Sequence, residues 1–169
     1  LTGDTATGKK IMEQASSTVK RLHLELGGKA PFIVFEDAHL DAAVQGAVVA
    51  GFVNTGQDCT AATRIYVQKS KYNAFVEDFV AHVKKIRVGD PLKPTTDIGP
   101  LISGEQRERV AGFVDRARKA GIEVVTGGRP LDGPGFFYQP TVLVKARHED
   151  EVVQREIFGP AVVVMAFDT

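Results

Sequence analysis

The single cysteine of this chain, Cys59, stands in Asn54-Thr-Gly-Gln-Asp-Cys59-Thr, a polar loop between a helical pattern and a strand pattern. The thiolate is the nucleophile, so such a thiol needs a lowered pKa or an adjacent base. A lone cysteine can equally be a small buried apolar residue. The loop glycine favours chemistry, because it lets the backbone turn tightly and leaves the thiol at an accessible edge. Glu25, in Leu24-Glu-Leu-Gly-Gly28, is a carboxylate flanked by leucines just before a diglycine. Apolar surroundings raise a carboxylate toward the neutral range where a general base works best. The plain alternative is an outward-facing strand residue. Glu156-Ile-Phe158-Gly-Pro160 offers an acid for ribose hydroxyls and a ring to pack on a base, or simply a turn with one buried Phe. Thr2-Gly3-Asp-Thr-Ala-Thr-Gly8 enters a helix whose free N–H groups can meet a phosphate, although Gly/Thr turns are common.

The elements that must position these residues alternate between helix and strand. Thr5 to Ser16 reads as a short helix, and Val19 to Leu26 as a strand ended by Gly27-Gly28. Pro31 to Phe35 is almost wholly apolar, as a buried parallel strand would be. Asp37 or Asp41 can cap a helix from Leu40 to about Val53, where Gly46 and Gly51 signal close packing. A strand near Thr63 to Gln68 follows Cys59. Tyr72, Phe75, Val76, Phe79, Val80, Val83 and Ile86 form an apolar helical stripe over Ser70 to Ile86. Ser103 to Ala120 is a charged surface helix stopped by Gly121. Short strands are expected at Ile122–Val125, Thr141–Val144 and Ala161–Phe167. The alternation predicts an α/β fold, with a parallel sheet and crossover helices.

Composition narrows the function. The 169 residues are 43% apolar, enough for one domain with a core. Lys plus Arg and Asp plus Glu both number 21, so no net field favours nucleic acid or an anionic membrane. No apolar run approaches the roughly 20 residues of a membrane helix. One cysteine excludes an internal disulfide and Cys-based zinc sites, and the four histidines lack ligand spacing, so no metal is expected. A cytoplasmic setting fits. Leu1 without an initiator Met, and a final strand stopping at Thr169, read as an excised piece.

In order and spacing these segments resemble the aldehyde dehydrogenase superfamily. The glutamate motif is Leu24-Glu25-Leu-Gly-Gly-Lys29, and the cysteine motif Gly56-Gln-Asp-Cys59 lies 34 positions after Glu25. The cofactor motif is Glu156-Ile-Phe158-Gly-Pro160, its Glu 97 positions after Cys59. The resemblance implies a catalytic domain over 27–169, incomplete and truncated at both ends, preceded by a remnant of the nucleotide-binding domain over 1–26. It implies Cys59 as nucleophile, Glu25 as base, Glu156 and Phe158 on the nicotinamide side of NAD (or NADP), and Gly3 and Gly27 beside the cofactor. It also implies that a second oxyanion donor and most of the dinucleotide site precede Leu1, so that the chain alone is inactive. The parent would be a homotetramer or homodimer. Asp4 departs from the Ser of many relatives, and a carboxylate beside a pyrophosphate must either point away or tune cofactor preference.

Gly56-Gln-Asp-Cys-Thr-Ala-Ala62 with Arg64-Ile-Tyr66 looks most like the γ-aminobutyraldehyde dehydrogenases of bacterial putrescine breakdown. Asp58 is then either a partner for a cationic amino end or a turn residue. Betaine-aldehyde and succinate-semialdehyde dehydrogenases are the near alternatives. The rivals in kind are a CoA-acylating relative, against which Glu25 argues as a hydrolytic base, and a non-catalytic α/β piece.

Overall fold

The computed structural model describes residues 1–169 and contains two sheets. β1 (Thr2–Gly3) and β2 (Glu25–Leu26) pair in parallel, Thr2 against Glu25 and Gly3 against Leu26, with α1 (Thr5–Ser16) between them in the chain. The main sheet has the order β3-β4-β7-β6-β5, with β3 (Pro31–Val34), β4 (Arg64–Gln68), β5 (Glu123–Thr126), β6 (Thr141–Val144) and β7 (Ala161–Phe167). All its pairings are parallel except β5 with β6. The antiparallel edge follows from the connection: Gly127 and Gly128, both at positive φ, turn the chain directly back toward β6, with no crossover helix.

β7 explains the core. Ala161, Val163 and Met165 face one side, where they join Val110, Phe113, Val114 and Ala117 of α4 (Gly104–Lys119). Val162 and Val164 face the other, against Val44, Ala47 and Phe52 of α2 (Leu40–Phe52) and Phe75, Phe79 and Val83 of α3 (Lys69–Val83). A strand buried on both faces needs an unbroken apolar run, as Ala161–Met165 supplies. Gly51 lets α2 approach closely, since a Cβ there would touch Val162 at 2.9 Å. The helical stripe of α3 buries as its spacing predicts, and Ser103 caps α4 by accepting the Gln106 N–H at 3.1 Å.

Four local expectations are corrected. Val19 to Leu24 is not a strand: Val19 takes φ 52° and only Glu25 and Leu26 pair. β3 is an edge strand with Ile33, and Phe35 just after it, exposed, because a Pro-initiated apolar run does not reveal which sheet position it takes. α2 is capped by neither Asp37 nor Asp41; His39 Nδ1 accepts the Ala42 N–H at 3.4 Å. A four-residue helix, α5 (Glu151–Gln154), precedes β7 where no element was expected.

Candidate active site

Three loops lead into β3, β4 and β7, which are neighbours in the sheet, so their entries meet at one edge. The first carries Gly27 to Lys29, the second Asn54 to Cys59, the third Glu156 to Pro160. Their contacts leave no room for side chains. A Cβ on Gly27 would overlap the Glu156 carboxylate, and one on Gly56 would overlap the Gly159 carbonyl. Gly56 also lies at φ 69°, where β-carbons are unwelcome.

The meeting point is a cleft of about 1070 Å³ lined by Cys59, Glu25, Glu156, Phe158, Gly3 and Gly27 together. All six residues singled out from the sequence therefore share one space. Cys59 is exposed and free, not a buried apolar residue. Phe158 is 36% exposed at φ 57°, so the alternative of a turn with a buried Phe fails as well. A non-glycine residue held left-handed stores strain and needs support. Gln106 supplies it, its Nε2 donating to the carbonyls of Phe158 at 2.6 Å and Ile157 at 3.0 Å. The Glu156 side chain accepts one hydrogen bond, from the Gly28 N–H at 3.3 Å.

The loop before Cys59 is also strained. Asn54 and Thr55 take φ 51° and 59°, and the chain stays there because Asn54 Nδ2 donates to the Gln57 carbonyl at 2.9 Å and buried Thr55 donates to the Gly99 carbonyl at 3.1 Å. Asp58 shapes the turn, its Oδ1 accepting from both the N–H and the hydroxyl of Thr60 at 2.7 Å, and it also lines the cleft. Those bonds to Thr60 hold its carboxyl below the usual range, so it keeps its charge beside Cys59.

Glu25 differs from expectation. The apolar surroundings are missing: its side chain is 68% exposed and Oε1 lies 2.6 Å from His23 Nε2. The flanking leucines point the other way, since neighbours along an extended segment alternate. The helix N-terminus at Thr5 is not an open phosphate site either. Asp4 occupies it, Oδ1 accepting the Ala6 and Thr7 N–H groups at 2.7 and 3.0 Å, and Oδ2 accepting the Thr7 hydroxyl at 2.9 Å. The bonds to Thr7 and Ala6 hold its carboxyl below the usual range.

Sequence reasoning missed Gln106, Arg109, Gln57 and Asn54, all of which line the cleft. The signal was available for the first two: three positions apart after the Ser103 cap, they share one face of α4. Arg109 donates to the Glu156 carbonyl at 2.8 Å, and Gln57 accepts the Ile102 N–H at 2.9 Å. No three His, Cys, Asp or Glu side chains gather as a metal site, and no helix is long and apolar enough to cross a membrane.

A family model described as "Aldehyde dehydrogenase family" matches residues 1–169. Betaine aldehyde dehydrogenase of Vibrio vulnificus is 46% identical over 99% of this chain and 35% of its own length. Succinate-semialdehyde dehydrogenase of Paenarthrobacter nicotinovorans is 46% identical over 100% of this chain and 38% of its own. An NAD+ complex of aldehyde dehydrogenase from Bacillus cereus superposes with a TM-score of 0.98 at 39% identity, covering 99% of this chain and 34% of that one. The chain thus spans about a third of the length of these relatives.

Proposed function

This chain belongs to the aldehyde dehydrogenase family, and from that premise we propose that the protein carrying it oxidises an aldehyde to its carboxylic acid with NAD, through Cys59 and Glu25. The observation that carries the reading is the single cleft shared by Cys59, Glu25, Glu156, Phe158, Gly3 and Gly27. The Cys59 sulfur attacks the aldehyde carbon to give a thiohemiacetal, and the Cys59 N–H faces the resulting oxyanion. When bound, NAD supplies the acceptor for the hydride leaving that adduct, NADP being the alternative. Glu25 then takes a proton from the water that splits the Cys59 thioester, releasing the acid and regenerating the thiol. A carboxylate lining the cleft, able to take that proton, favours water over CoA as the acceptor of the acyl group.

The residues fit the cofactor. Glu156 sits in a cradle that only glycine at position 27 permits, with most of its lone pairs free for ribose hydroxyls. Phe158 offers an exposed ring beside it for the nicotinamide. Gly3 leaves bare backbone for the pyrophosphate, while Asp4, turned onto its own helix, keeps its charge out of that contact. Residues 1–26 form the nucleotide-domain portion and 27–169 the catalytic portion. A free, exposed thiol suits a reducing compartment such as the cytoplasm, and the parent assembles as a homotetramer or homodimer.

For the substrate we favour an aminoaldehyde of the γ-aminobutyraldehyde type. Asp58 is charged, lines the cleft and adjoins the nucleophile, so it attracts a cationic chain end and repels an anionic one. Betaine aldehyde carries such a cation and is the nearest alternative; succinate semialdehyde carries the opposite charge. The full-length protein, assayed by NADH absorbance, should prefer aminobutyraldehyde and betaine aldehyde to succinate semialdehyde by at least roughly tenfold in kcat/KM. Asp58→Asn should narrow that ratio. A preference for succinate semialdehyde overturns the substrate assignment, and turnover surviving Cys59→Ala overturns the mechanism.

A further inference from the structure

The Lys29 side chain ends in a place where an ammonium is costly. Its Nζ is shut off from solvent and meets no hydrogen-bond partner, although the residue as a whole is only part-buried. Desolvation pushes its pKa from the ordinary 10.5 down to about 8, helped by Arg64 of β4 and opposed by Glu156. Arg64 is committed elsewhere, its Nε donating to the Lys29 carbonyl at 2.7 Å. The remaining charge acting on the ammonium is the Glu156 carboxylate, which rests on Gly27 two positions earlier in the chain.

That carboxylate is thinly held. Its hydrogen bond from the Gly28 N–H, at 3.3 Å, is at the long end of the useful range. A charged group gripping ribose hydroxyls needs a fixed position with its lone pairs unspent. A direct salt bridge would fix it but consume acceptor sites. A buried cation that follows Gly28 directly in the chain, attracting without bonding, fixes it and leaves those sites open.

We propose that Lys29 is a positioning residue for cofactor binding: its buried, unbonded ammonium holds Glu156 against the Gly27–Gly28 turn with the carboxylate free to engage the ribose. This rests on the assignment of Glu156 to the cofactor. A lysine kept for function should also cost the fold something. Folding lowers its pKa below the unfolded value, so the protonated amine is a burden at neutral pH, and stability rises as pH climbs from about 8 to 10.5. Replacing it with an apolar residue of similar length should relieve that burden.

The test is calorimetric titration of NAD into the full-length protein between pH 6.5 and 9.5, set against thermal melting, in a Cys59→Ala background that removes the thiol from the titration. Lys29→Met should raise Kd for NAD roughly tenfold at pH 7 with Tm unchanged or higher. In the parent background Kd should weaken as pH passes about 8, where Lys29 loses its proton, and Lys29→Met should flatten that limb. Glu156→Gln is the control arm. If it weakens NAD while Lys29→Met binds within twofold of the parent at all pH values, the role of Lys29 is overturned and that of Glu156 stands. If Glu156→Gln binds NAD as tightly as the parent, the assignment beneath the inference fails. Should Lys29→Met not fold, the parent decides: a Kd flat through pH 8 overturns the proposal.

Discussion

Residues 1–26 and the five-stranded sheet share the cleft but are built by opposite means. In α1 the one buried residue is Gly8, while Met12 is 56% exposed and Val19 91% exposed. An open apolar groove runs between α1 and Leu22–Leu24, lined by Met12, Ala15, Val19, Leu22 and Leu24. In β7, by contrast, five consecutive residues from Ala161 to Met165 are buried. The division passes through the site. Cys59, Glu156 and Phe158 hang on loops pinned to the main sheet, whereas Glu25 and Gly3 lie on a two-residue ladder backed by little apolar burial. Cys59, Glu156 and Phe158 are therefore positioned by the core of this chain. Glu25 is held by the part that buries least.

The widest expected gap between the two regions is functional. Chain 1–169 on its own, mixed with aminobutyraldehyde and NAD, should give no measurable NADH, yet iodoacetamide should label Cys59 stoichiometrically. The thiol stands on the rigid side and needs no cofactor to be alkylated. Glu25, the proposed base, lies on the weak side, backed by little apolar burial, and a displaced base costs the hydrolytic step. Steady turnover abolished by Cys59→Ala would show that residues 1–26 hold Glu25 well enough unaided.

Glycine substitutions sharpen the contrast. Gly56→Ala places a methyl into the Gly159 carbonyl at a positive φ, so it should destabilise the fold by about 2–4 kcal/mol in urea titration. Gly3→Ala meets nothing nearer than Leu1 at 3.8 Å and should shift the midpoint by less than about 0.5 kcal/mol. Equal losses would mean that the N-terminal ladder is as tightly built as the loop edge.

The same contrast decides what was legible in the sequence. The helical stripe ending at Ile86 and the strand at Ala161–Phe167 announced themselves because a large buried face imposes a period or an unbroken apolar run. That these residues share one cleft was legible through the order of their motifs, since Gly27 and Gly56 make sense only where loops touch. Val19–Leu26 misled because its alternation resembles a strand, while pairing depends on Leu1–Gly3, a partner too short to extend the ladder beyond Leu26. The surroundings of Glu25 were illegible for the same reason: flanking leucines say nothing of what covers the other face. Gln106 and Arg109 were passed over because a charged helix surface hides which of its faces is turned inward.

Core truncations should follow burial. Val163→Ala, in the middle of β7 and fully buried, should cost about 2 kcal/mol, whereas Met12→Ala should fall within about 0.5 kcal/mol of the parent. Equilibrium unfolding in guanidinium measures both. A Met12→Ala loss as large as that of Val163→Ala would place the groove along α1 inside the cooperative core.

The smallest effect is expected at Val19, and it separates two kinds of left-handed residue. Thr55 and Phe158 are held at positive φ by hydrogen bonds to Gly99 and from Gln106, and both serve the loops of the cleft. Val19 lies at φ 52° with a β-branched side chain facing solvent, after α1 has ended and before β2 begins. Its hydrogen bonds are those of the turn itself, its N–H donating to the Ser16 carbonyl at 3.2 Å. Nothing else compensates a conformation that costs a β-branched residue on the order of 1 kcal/mol or more. Val19→Gly removes that cost and adds back part of it as unfolded-chain entropy, leaving a gain of a few tenths of a kcal/mol. Such a gain should leave the global Tm unmoved, since the little burial in residues 1–26 lets them open ahead of the main sheet on this prediction. It should appear instead as slower amide exchange in α1 alone, with exchange in β4, β6 and β7 unchanged. If Val19→Gly raises Tm and slows exchange across the sheet, the two regions unfold as one unit, and the division drawn through the cleft is wrong.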